Sequence, residues 1–320
     1  MKLVIQIPAY NEETTIGRTI ADLPTAVAGI DAIEILVLDD GSKDQTARAA
    51  KEAGAHQVVR SPQNRGLART FHDGLAHALR LGADIVVNTD ADNQYRGEDI
   101  ARLVEPIVAG RAEMVVGCRD MDAVEHFSPA KRFLQRLGSA VVRRFSGTGV
   151  PDATSGFRAL SRRAASRLNV VSGYTYTLET LIQAGREGMA IEFIDITTNP
   201  KLRESRLIQS EWRYIVRSIG TLLRIFVLYE PFKAFLWAGV ALIAPALLLG
   251  LRFLADYLTT GGAGKVQSLI LAAILAIIGF QVIVLGVLAD LLAANRRFLS
   301  ELLERQRASD AGRPSPEDGD

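Results

Sequence analysis

The sequence is short of several features that would place it quickly in a class. Its single cysteine, Cys118, cannot form an internal disulfide, which suits a reducing compartment. With 37 basic and 36 acidic side chains the net charge is +1, so there is no overall basic field to attract nucleic acid. The paired Cys and His spacings of a zinc site are also missing. Nucleic acid is therefore not an expected partner.

Charge is absent from two segments, residues 234–251 and 266–289. The apolar runs around them, about 232–256 and 266–292, are each long enough to span roughly 30 Å of hydrocarbon. Glycines at 261, 262 and 264 indicate a tight turn between them. The sequence therefore predicts two transmembrane helices in a hairpin. A helical hairpin buried in a soluble core is the alternative, but such helices rarely lack a polar face.

Basic residues indicate how the hairpin is oriented. Two of them, Arg252 and Lys265, lie between the two charge-free segments, and eight lie on the outer sides of these segments. The eight are Arg213, Arg217, Arg224, Lys233, Arg296, Arg297, Arg305 and Arg307. Because positive charge collects on the cytoplasmic side, we expect a multi-pass protein of the cytoplasmic (inner) membrane with both termini in the cytoplasm. Residues 1–8 contain too short an apolar run for a signal peptide, which agrees with this expectation.

The first 117 residues alternate short β-branched runs with longer amphipathic stretches. The runs predict strands at 3–7, 33–38, 57–59, 84–88 and 114–116. The stretches predict helices at about 13–23, 43–53, 67–81 and 98–109. Apolar strands joined by crossover helices predict an α/β fold with a parallel sheet covered on both faces, and such sheets bind ligands near the carboxyl ends of their strands.

The rest of the chain gives a coarser pattern. Between 118 and 207 the predicted elements are a basic amphipathic helix at 129–145, a loop over 152–158, a helix near 176–187 and a strand at 191–196. The predicted domains are a cytoplasmic domain over 1–207, an amphipathic juxtamembrane helix over 208–230, the two transmembrane helices within 231–294, and a partly disordered cytoplasmic tail over 295–320.

Asp90 and Asp92 follow the predicted strand 84–88. Two carboxylates at a strand end can bind one hard cation together with a diphosphate, and Gln94 adds a neutral oxygen. The same Asp spacing occurs elsewhere in the chain, so its position after a buried strand is what distinguishes this pair. We expect Asp90, Asp92 and Gln94 to bind Mg²⁺ or Mn²⁺.

Polar loops also follow the first two predicted strands. One contains Pro8, Ala9, Tyr10, Asn11 and Glu12; the other is residues 39–42. An aromatic ring can stack on a base, and a carboxylate can accept a hydrogen bond from a base edge or a ribose. Helix capping alone would explain Asn11 and Ser42. Three polar loops at one sheet edge favour a ligand site.

Together these motifs resemble the family-two glycosyltransferases, and within them the polyprenyl-phosphate sugar transferases of the dolichol-phosphate mannose synthase type. The resemblance covers residues 1–207, and the hairpin lies where that subgroup often has one. The motifs that carry it are residues 8–12, 39–42, 64–66, 90–94, 117–119 and 155–158. Arg96 and Gly97 stand where relatives usually have prolines, and residues 201–206 replace a more familiar Gly/Ser-Lys loop.

The resemblance implies a nucleotide-diphospho-sugar transferase (GT-A, Rossmann-like) domain followed by the membrane hairpin. The implied nucleotide-sugar-binding residues are Pro8, Ala9, Tyr10, Asn11, Glu12, Asp40, Ser42, Asp90 and Ala91. The implied metal ligands are Asp90, Asp92 and Gln94. The expected lipid-phosphate-binding residues are Arg119, Arg132, Arg136, Arg203, Ser205 and Arg206.

The chemistry of an anionic lipid acceptor supports these assignments. It needs cations near the bilayer, and the predicted helix 129–145 sets Arg132 and Arg136 among apolar residues, an interfacial pattern. A phosphate monoester is already largely dianionic at pH 7, so a strong base is not required. The expected catalytic residues are Asp92, through the metal, and Asp152, which would orient the acceptor or stabilise positive charge. A turn or capping role for Asp152 is the alternative.

The sequence therefore predicts a membrane-anchored inverting hexosyltransferase. It would move a sugar from a nucleotide-diphosphate sugar to polyprenyl phosphate, making a lipid-linked donor for cell-envelope glycan or glycoprotein assembly. A processive polysaccharide synthase is one alternative, although residues 209–213 reverse the last two positions of the Gln-x-x-Arg-Trp motif. A non-catalytic membrane adaptor is another, which intact metal ligands disfavour. The sugar, the nucleotide, the lipid length and a homo-oligomer formed through the hairpin stay open.

Overall fold

The computed structural model describes residues 1–119, 139–140, 142–144, 146–170, 176–199, 220, 223–224, 226–227, 230–260 and 266–311. It divides into two compact units, Met1–Ser218 and Ile219–Asp320, which are taken separately below. The expected lipid-phosphate residues Arg132, Arg136, Arg203, Ser205 and Arg206 lie outside the described residues. So do most of the predicted helices 129–145 and 208–230 and the last nine residues of the tail.

The first unit is built on a seven-stranded sheet. Its strands are β1 (Lys2–Ala9), β2 (Ala32–Asp39), β3 (Gln57–Arg60), β4 (Ile85–Asn88), β5 (Met114–Arg119), β6 (Arg158–Ser161) and β7 (Ile191–Ile196). Its described helices are α1 (Ile16–Ala21), α2 (Thr46–Glu52), α3 (Leu67–Arg80), α4 (Asp99–Val108), α5 (Arg162–Arg167) and α6 (Tyr176–Arg186). The strand order is β3-β2-β1-β4-β6-β5-β7.

The core of this unit lies on both faces of the sheet. On β1, Leu3, Ile5 and Ile7 join one large apolar cluster, while Val4 and Gln6, on the opposite face, are also fully buried. β4 is buried at all four positions. The five strands and four helices predicted for the first 117 residues are confirmed, and so is a sheet covered on both faces.

One strand corrects the predicted parallel sheet. β6 pairs antiparallel with both β4 and β5, whereas all other neighbours pair parallel, so the sheet is mixed. The sequence did not reveal β6 because the strand is four residues long and starts with a charged residue. That residue, Arg158, is nevertheless fully buried.

The pairing register brings the strand ends next to the predicted site residues to one edge of the sheet. Ala9 pairs with Asp39, and Asn88, at the end of β4, pairs with Arg158. Because β6 runs the opposite way, the segment that precedes it reaches the same edge as the segments that follow β1, β2 and β4. Arg119 ends β5 at this edge as well. The predicted site loops therefore share one edge of the sheet.

The second unit contains two long helices, α7 (Pro231–Thr260) and α8 (Val266–Ala311). Pro231 begins α7, a position where its missing N–H costs nothing. Segments Pro231–Thr259 and Val266–Asn295 are long and apolar enough to cross a membrane. Most of their side chains are exposed, Trp237 by 69% and Leu258 by 75%, which a hairpin buried in a soluble core would not show.

Glycines set how closely these two helices approach. A Cβ atom added at Gly239 would overlap Cγ1 of Ile283 and lie 2.7 Å from the carbonyl oxygen of Gly279. A Cβ at Gly279 would in turn lie 2.9 Å from the carbonyl oxygen of Gly239. The two backbones therefore meet directly, the small-residue packing that holds helices together in lipid.

We expect Gly239→Ala to destabilise the hairpin by about 1–3 kcal/mol, because the added methyl forces a tightly packed contact apart. Gly250→Ala is the matched control: it lies in the same helix, and nothing lies within 4 Å of its Cβ position. The control should be neutral or slightly stabilising, since alanine favours helix. Denaturation of the full chain in detergent measures both variants, and equal stabilities would contradict the glycine contact.

Candidate active site

The turn after β4 carries the predicted metal ligands. Oδ1 of Asp92 accepts the backbone N–H of Gln94 at 3.2 Å, and Oδ2 accepts Nε2 of Gln94 at 2.6 Å. Because the amide nitrogen of Gln94 donates to Asp92, its amide oxygen is the atom that can bind a cation. The backbone of the turn is anchored by Thr19, whose hydroxyl donates to the carbonyl oxygen of Ala91 at 3.0 Å.

Electrostatics in this turn favour a cation. Burial raises the pKa of Asp90 to about 7, and the negative charge of Asp92 adds to the rise, while Arg119 and Arg158 oppose it. A divalent cation between the two carboxylates would relieve their repulsion. The residues that the structure describes hold no cluster of three or more His, Cys, Asp or Glu that could bind a metal. Diphosphate oxygens and water would have to complete the shell, as is usual for Mg²⁺.

The loops after β1 and β2 are joined to each other. The N–H of Asn11 donates to Oγ of Ser42 at 2.9 Å, and Oδ1 of Asn11 accepts the N–H of Lys43 at 2.8 Å. The N–H of Glu12 donates to Oγ1 of Thr46 at 2.7 Å. Asn11 has a φ of 55°, in the left-handed region that Asn tolerates better than most residues. The structure thus brings the predicted residues Asn11, Glu12 and Ser42 together.

Asp40 organises a third loop. Its two carboxylate oxygens accept the backbone N–H groups of Arg65 and Gly66, each at 2.8 Å. The side chain is 3% exposed. Gly41 leaves room for this approach, because a Cβ there would lie 2.6 Å from the backbone of Gln63. Asp40 therefore orders the 64–66 motif beside the predicted nucleoside site, where Tyr10 is 38% exposed.

Two residues predicted for different roles form one ion pair. Nε of Arg119 donates to Asp152 at 2.8 Å, and one terminal nitrogen donates both to Asp152 at 3.2 Å and to the Thr154 hydroxyl at 2.9 Å. Burial raises the pKa of Asp152, but the charge and hydrogen bonds of Arg119 more than offset this and hold it below its ordinary value. Asp152 therefore stays ionised at neutral pH and is a weak base.

Sequence reasoning assigned no role to several buried polar residues beside this pair. Arg158 is fully buried and donates to the carbonyl oxygens of Ser155 at 2.9 Å and Ala153 at 3.2 Å and to the Thr180 hydroxyl at 2.6 Å. It thereby holds the loop before β6 in shape. The 155–158 motif was the available signal for Arg158 and Gly156. Asn88, Tyr95 and Tyr176 gave no signal, because their sequence positions fit ordinary core residues equally well.

Comparison with known proteins gives three informative matches. A family model described as "Glycosyl transferase family 2" matches residues 4–168. The UDP-N-acetylglucosamine–dolichyl-phosphate N-acetylglucosaminyltransferase of Methanococcus voltae is 32% identical over 213 residues, 60% of this chain and 83% of the relative. The undecaprenyl-phosphate mannosyltransferase of Micrococcus luteus is 27% identical over 219 residues, 65% of this chain and 88% of the relative.

Solved structures agree on the fold. Glucosyl-3-phosphoglycerate synthase from Mycobacterium tuberculosis, crystallised with Mn²⁺, uridine diphosphate and glucosyl-3-phosphoglycerate, matches with a TM-score of 0.54 and 25% identity. The match covers 69% of this chain and 79% of that one. The expected GT-A fold is confirmed, with the mixed sheet described above.

The ion pair predicts a specific stability profile. Asp152→Asn should lower the free energy of unfolding by about 2–4 kcal/mol at pH 7, because it leaves a largely buried guanidinium without its counter-charge. The pKa of Asp152 is lowered in the folded protein. The wild-type advantage should therefore be full above about pH 5, begin to decrease near pH 4 and be lost as the pH falls through the lowered pKa of folded Asp152.

Unfolding of the full chain in detergent at several pH values measures this profile. Glu105→Gln is the control, since its ion pair with Arg111 lies on the surface and should contribute little. A wild-type advantage in the free energy of unfolding that is small at pH 7, or that does not decrease as the pH is lowered from 5 to about 2, would contradict the stabilising role of the pair.

Proposed function

This chain belongs to glycosyl transferase family 2, and from that premise we propose that it transfers a sugar from a nucleotide-diphosphate sugar to a polyprenyl phosphate. The observation that carries the proposal is the juxtaposition at one sheet edge of an acidic turn, Asp90 and Asp92, and a half-buried arginine, Arg119. The first suits a metal-bound donor diphosphate. The second suits a phosphate acceptor.

The names of the relatives support the proposed class of acceptor but do not identify the sugar. The names of the two relatives above agree on a lipid phosphate, dolichyl in one and undecaprenyl in the other. They differ in the sugar, N-acetylglucosamine in one and mannose in the other. A polyprenyl phosphate is therefore the acceptor class that we propose, and the sugar is left to experiment.

On the donor side, we assign the nucleoside to Pro8, Ala9, Tyr10, Asn11, Glu12, Asp40 and Ser42 and the diphosphate to the 90–94 turn. The joined loops after β1 and β2 support this assignment, since they form one rigid surface. Asp90, Asp92 and Gln94 would hold Mg²⁺ or Mn²⁺, and the Mn²⁺ in the crystallised glucosyl-3-phosphoglycerate synthase supports that choice. The ion would neutralise charge that develops on the leaving diphosphate.

On the acceptor side, one oxygen of the lipid phosphate bonds to the anomeric carbon as the bond from that carbon to the donor diphosphate breaks. The bonding electrons leave with the nucleoside diphosphate, and a single displacement inverts the anomeric configuration. The acceptor is already ionised near pH 7, so no side chain needs to remove a proton. Asp152 would orient Arg119 toward this phosphate. The other residues that we assign to the lipid phosphate are Arg132, Arg136, Arg203, Ser205 and Arg206.

We propose that the reaction takes place at the cytoplasmic face of the membrane. Two apolar helices of spanning length and the basic residues on their outer flanks support this location. The chain would comprise a cytoplasmic catalytic domain (1–207), a juxtamembrane helix (208–230), the hairpin (231–294) and a cytoplasmic tail (295–320). Its product would be a lipid-linked sugar for cell-envelope glycan or glycoprotein assembly.

The metal role predicts the effect of a single substitution. Asp92→Asn should lower the transfer rate about a hundredfold or more, because a metal-held diphosphate contact contributes several kcal/mol to the transition state. Asp84→Asn is the matched control, since Asp84 lies just before β4 at the opposite end of the same strand. Membranes carrying each variant are assayed with labelled nucleotide sugars and polyprenyl phosphate. Full activity of Asp92→Asn in the presence of a chelator would overturn the assignment.

The acceptor site predicts a kinetic separation. Arg203→Ala and Arg206→Ala should raise the apparent KM for the lipid far more than for the nucleotide sugar, because they would contact only the lipid phosphate. Substitution by Lys should restore little, since it keeps the charge but loses the planar guanidinium. Arg163→Ala is the control: this exposed residue follows β6 at the opposite sheet edge.

Initial rates against both substrates test this separation, with polyprenol in place of its phosphate as a further acceptor. The alcohol should not be glycosylated. If the arginine variants keep the wild-type apparent KM for the lipid but have a much higher apparent KM for the nucleotide sugar, the acceptor phosphate binds elsewhere.

A further inference from the structure

A buried hydrogen-bond network lies directly behind the metal-binding turn. Asn88, at the end of β4 and 1% exposed, donates through Nδ2 to the carbonyl oxygen of Gly156 at 2.8 Å and to the Tyr176 hydroxyl at 3.1 Å. Its Oδ1 accepts Nε2 of Gln6, from β1, at 2.9 Å. Every polar atom of this amide is therefore engaged, and its orientation is fixed from both sides.

Gly156 is held on its other side as well. Its N–H donates to the Tyr95 hydroxyl at 3.2 Å, and the Tyr95 ring stacks on Phe157 with centroids 4.8 Å apart. The Tyr176 ring stacks on Phe71 at 4.0 Å. Tyr95 and Tyr176 are 5% and 2% exposed. The Gly156 peptide is thus held between Asn88 and two buried, stacked tyrosines.

Asp90 lies against this peptide. A Cβ atom added at Gly156 would lie 3.1 Å from Oδ1 and 3.4 Å from Oδ2 of Asp90, and 2.6 Å from the Tyr176 hydroxyl. The carboxylate therefore occupies space that only glycine leaves free. Moving the carboxylate toward β6 would require movement of the Gly156 peptide, which is hydrogen-bonded through both its N–H and its carbonyl oxygen.

We propose that Gly156, with Asn88 and Tyr176, positions the Asp90 carboxylate and so tunes the site for a small cation of strict octahedral geometry. The inference rests on the proposed metal role of Asp90. Mg²⁺ needs oxygen ligands at about 2.0–2.1 Å in near-ideal octahedral geometry, whereas Ca²⁺ accepts about 2.3–2.6 Å and irregular shells. A carboxylate that is blocked on the Gly156 side has less freedom to adjust to the longer and more irregular bonds of Ca²⁺, which favours the first ion over the second.

Gly156→Ala tests the close contact. The added methyl pushes Asp90 off its position, so the dissociation constant for Mn²⁺ should rise about tenfold or more and the preference for Mg²⁺ over Ca²⁺ should fall. Gly149→Ala is the matched control, because Gly149 is exposed in the same region and nothing lies within 4 Å of its Cβ position. Mn²⁺ binding to the full chain in detergent is followed by electron paramagnetic resonance, with Mg²⁺ and Ca²⁺ as competitors.

Tyr176→Phe tests the network without adding bulk. It keeps the ring stacked on Phe71 but removes the hydroxyl that accepts from Asn88. Its Mn²⁺ dissociation constant should rise about tenfold, because removal of groups that orient metal ligands commonly weakens metal binding. If Gly156→Ala does not fold, the Mn²⁺ dissociation constant of Tyr176→Phe tests the positioning role by itself.

The double variant Gly156→Ala/Tyr176→Phe separates the two neighbours of the added methyl. Removal of the hydroxyl relieves the 2.6 Å contact and leaves those with Asp90. Mn²⁺ binding that is weaker than in Tyr176→Phe alone, with a lower Mg²⁺/Ca²⁺ preference, supports positioning of Asp90. Binding equal to that of Tyr176→Phe would mean that Gly156 only makes room for Tyr176, and wild-type binding in both single variants would equally overturn the inference.

Failure of the proposed function gives a different result. In that case wild type and Asp92→Asn bind Mn²⁺ equally, and the turn is not a metal site. If wild type binds the ion and Asp92→Asn does not, the metal role stands, and the Gly156 and Tyr176 variants alone decide the positioning role.

Discussion

The structure depends on one electrostatic constraint: negative charge is concentrated in one half-buried turn at the edge of the sheet. Asp90 and Asp92 stand two residues apart at the end of a buried strand, and burial together with their mutual repulsion raises the pKa of Asp90 to about 7. Arg119 and Arg158 oppose that rise from neighbouring elements. The two arginines stabilise the ionised form of Asp90, and the proposed cation would stabilise the same charge.

The same constraint explains why the arginines differ in their surroundings. Arg119 is paired with a carboxylate, Asp152, and is 21% exposed on its side chain. Arg158 is fully buried and bonded to neutral oxygens, so desolvation lowers its pKa. One guanidinium is thus placed where a ligand can reach it, while the other is part of the scaffold.

Local pattern was enough to predict much of this molecule. The strand before Asp90 is an apolar run of residues buried on both faces. The two charge-free segments are helices long and apolar enough to cross a membrane, as their composition predicts. β6 was missed because four residues beginning with Arg158 carry no periodic signal. The Arg119–Asp152 pair was missed because 33 residues separate its partners, and only the tertiary fold decides which carboxylate an arginine meets. The role of Gly156 could not be predicted from the sequence, because the atoms for which it makes room belong to other elements.

The reversed direction of β6 has a consequence for how such a protein can diversify. The proposed donor surface comes from segments that leave parallel strands, whereas Asp152 and Thr154 sit on a segment that enters the sheet at β6. Insertions or substitutions before β6 can therefore reshape the surface around Arg119 while the register of β1, β2 and β4 is kept. The preferences for the proposed donor and acceptor can therefore change independently in evolution. Gly156 lies where the donor surface meets the surface around Arg119, so substitutions there are the least tolerated.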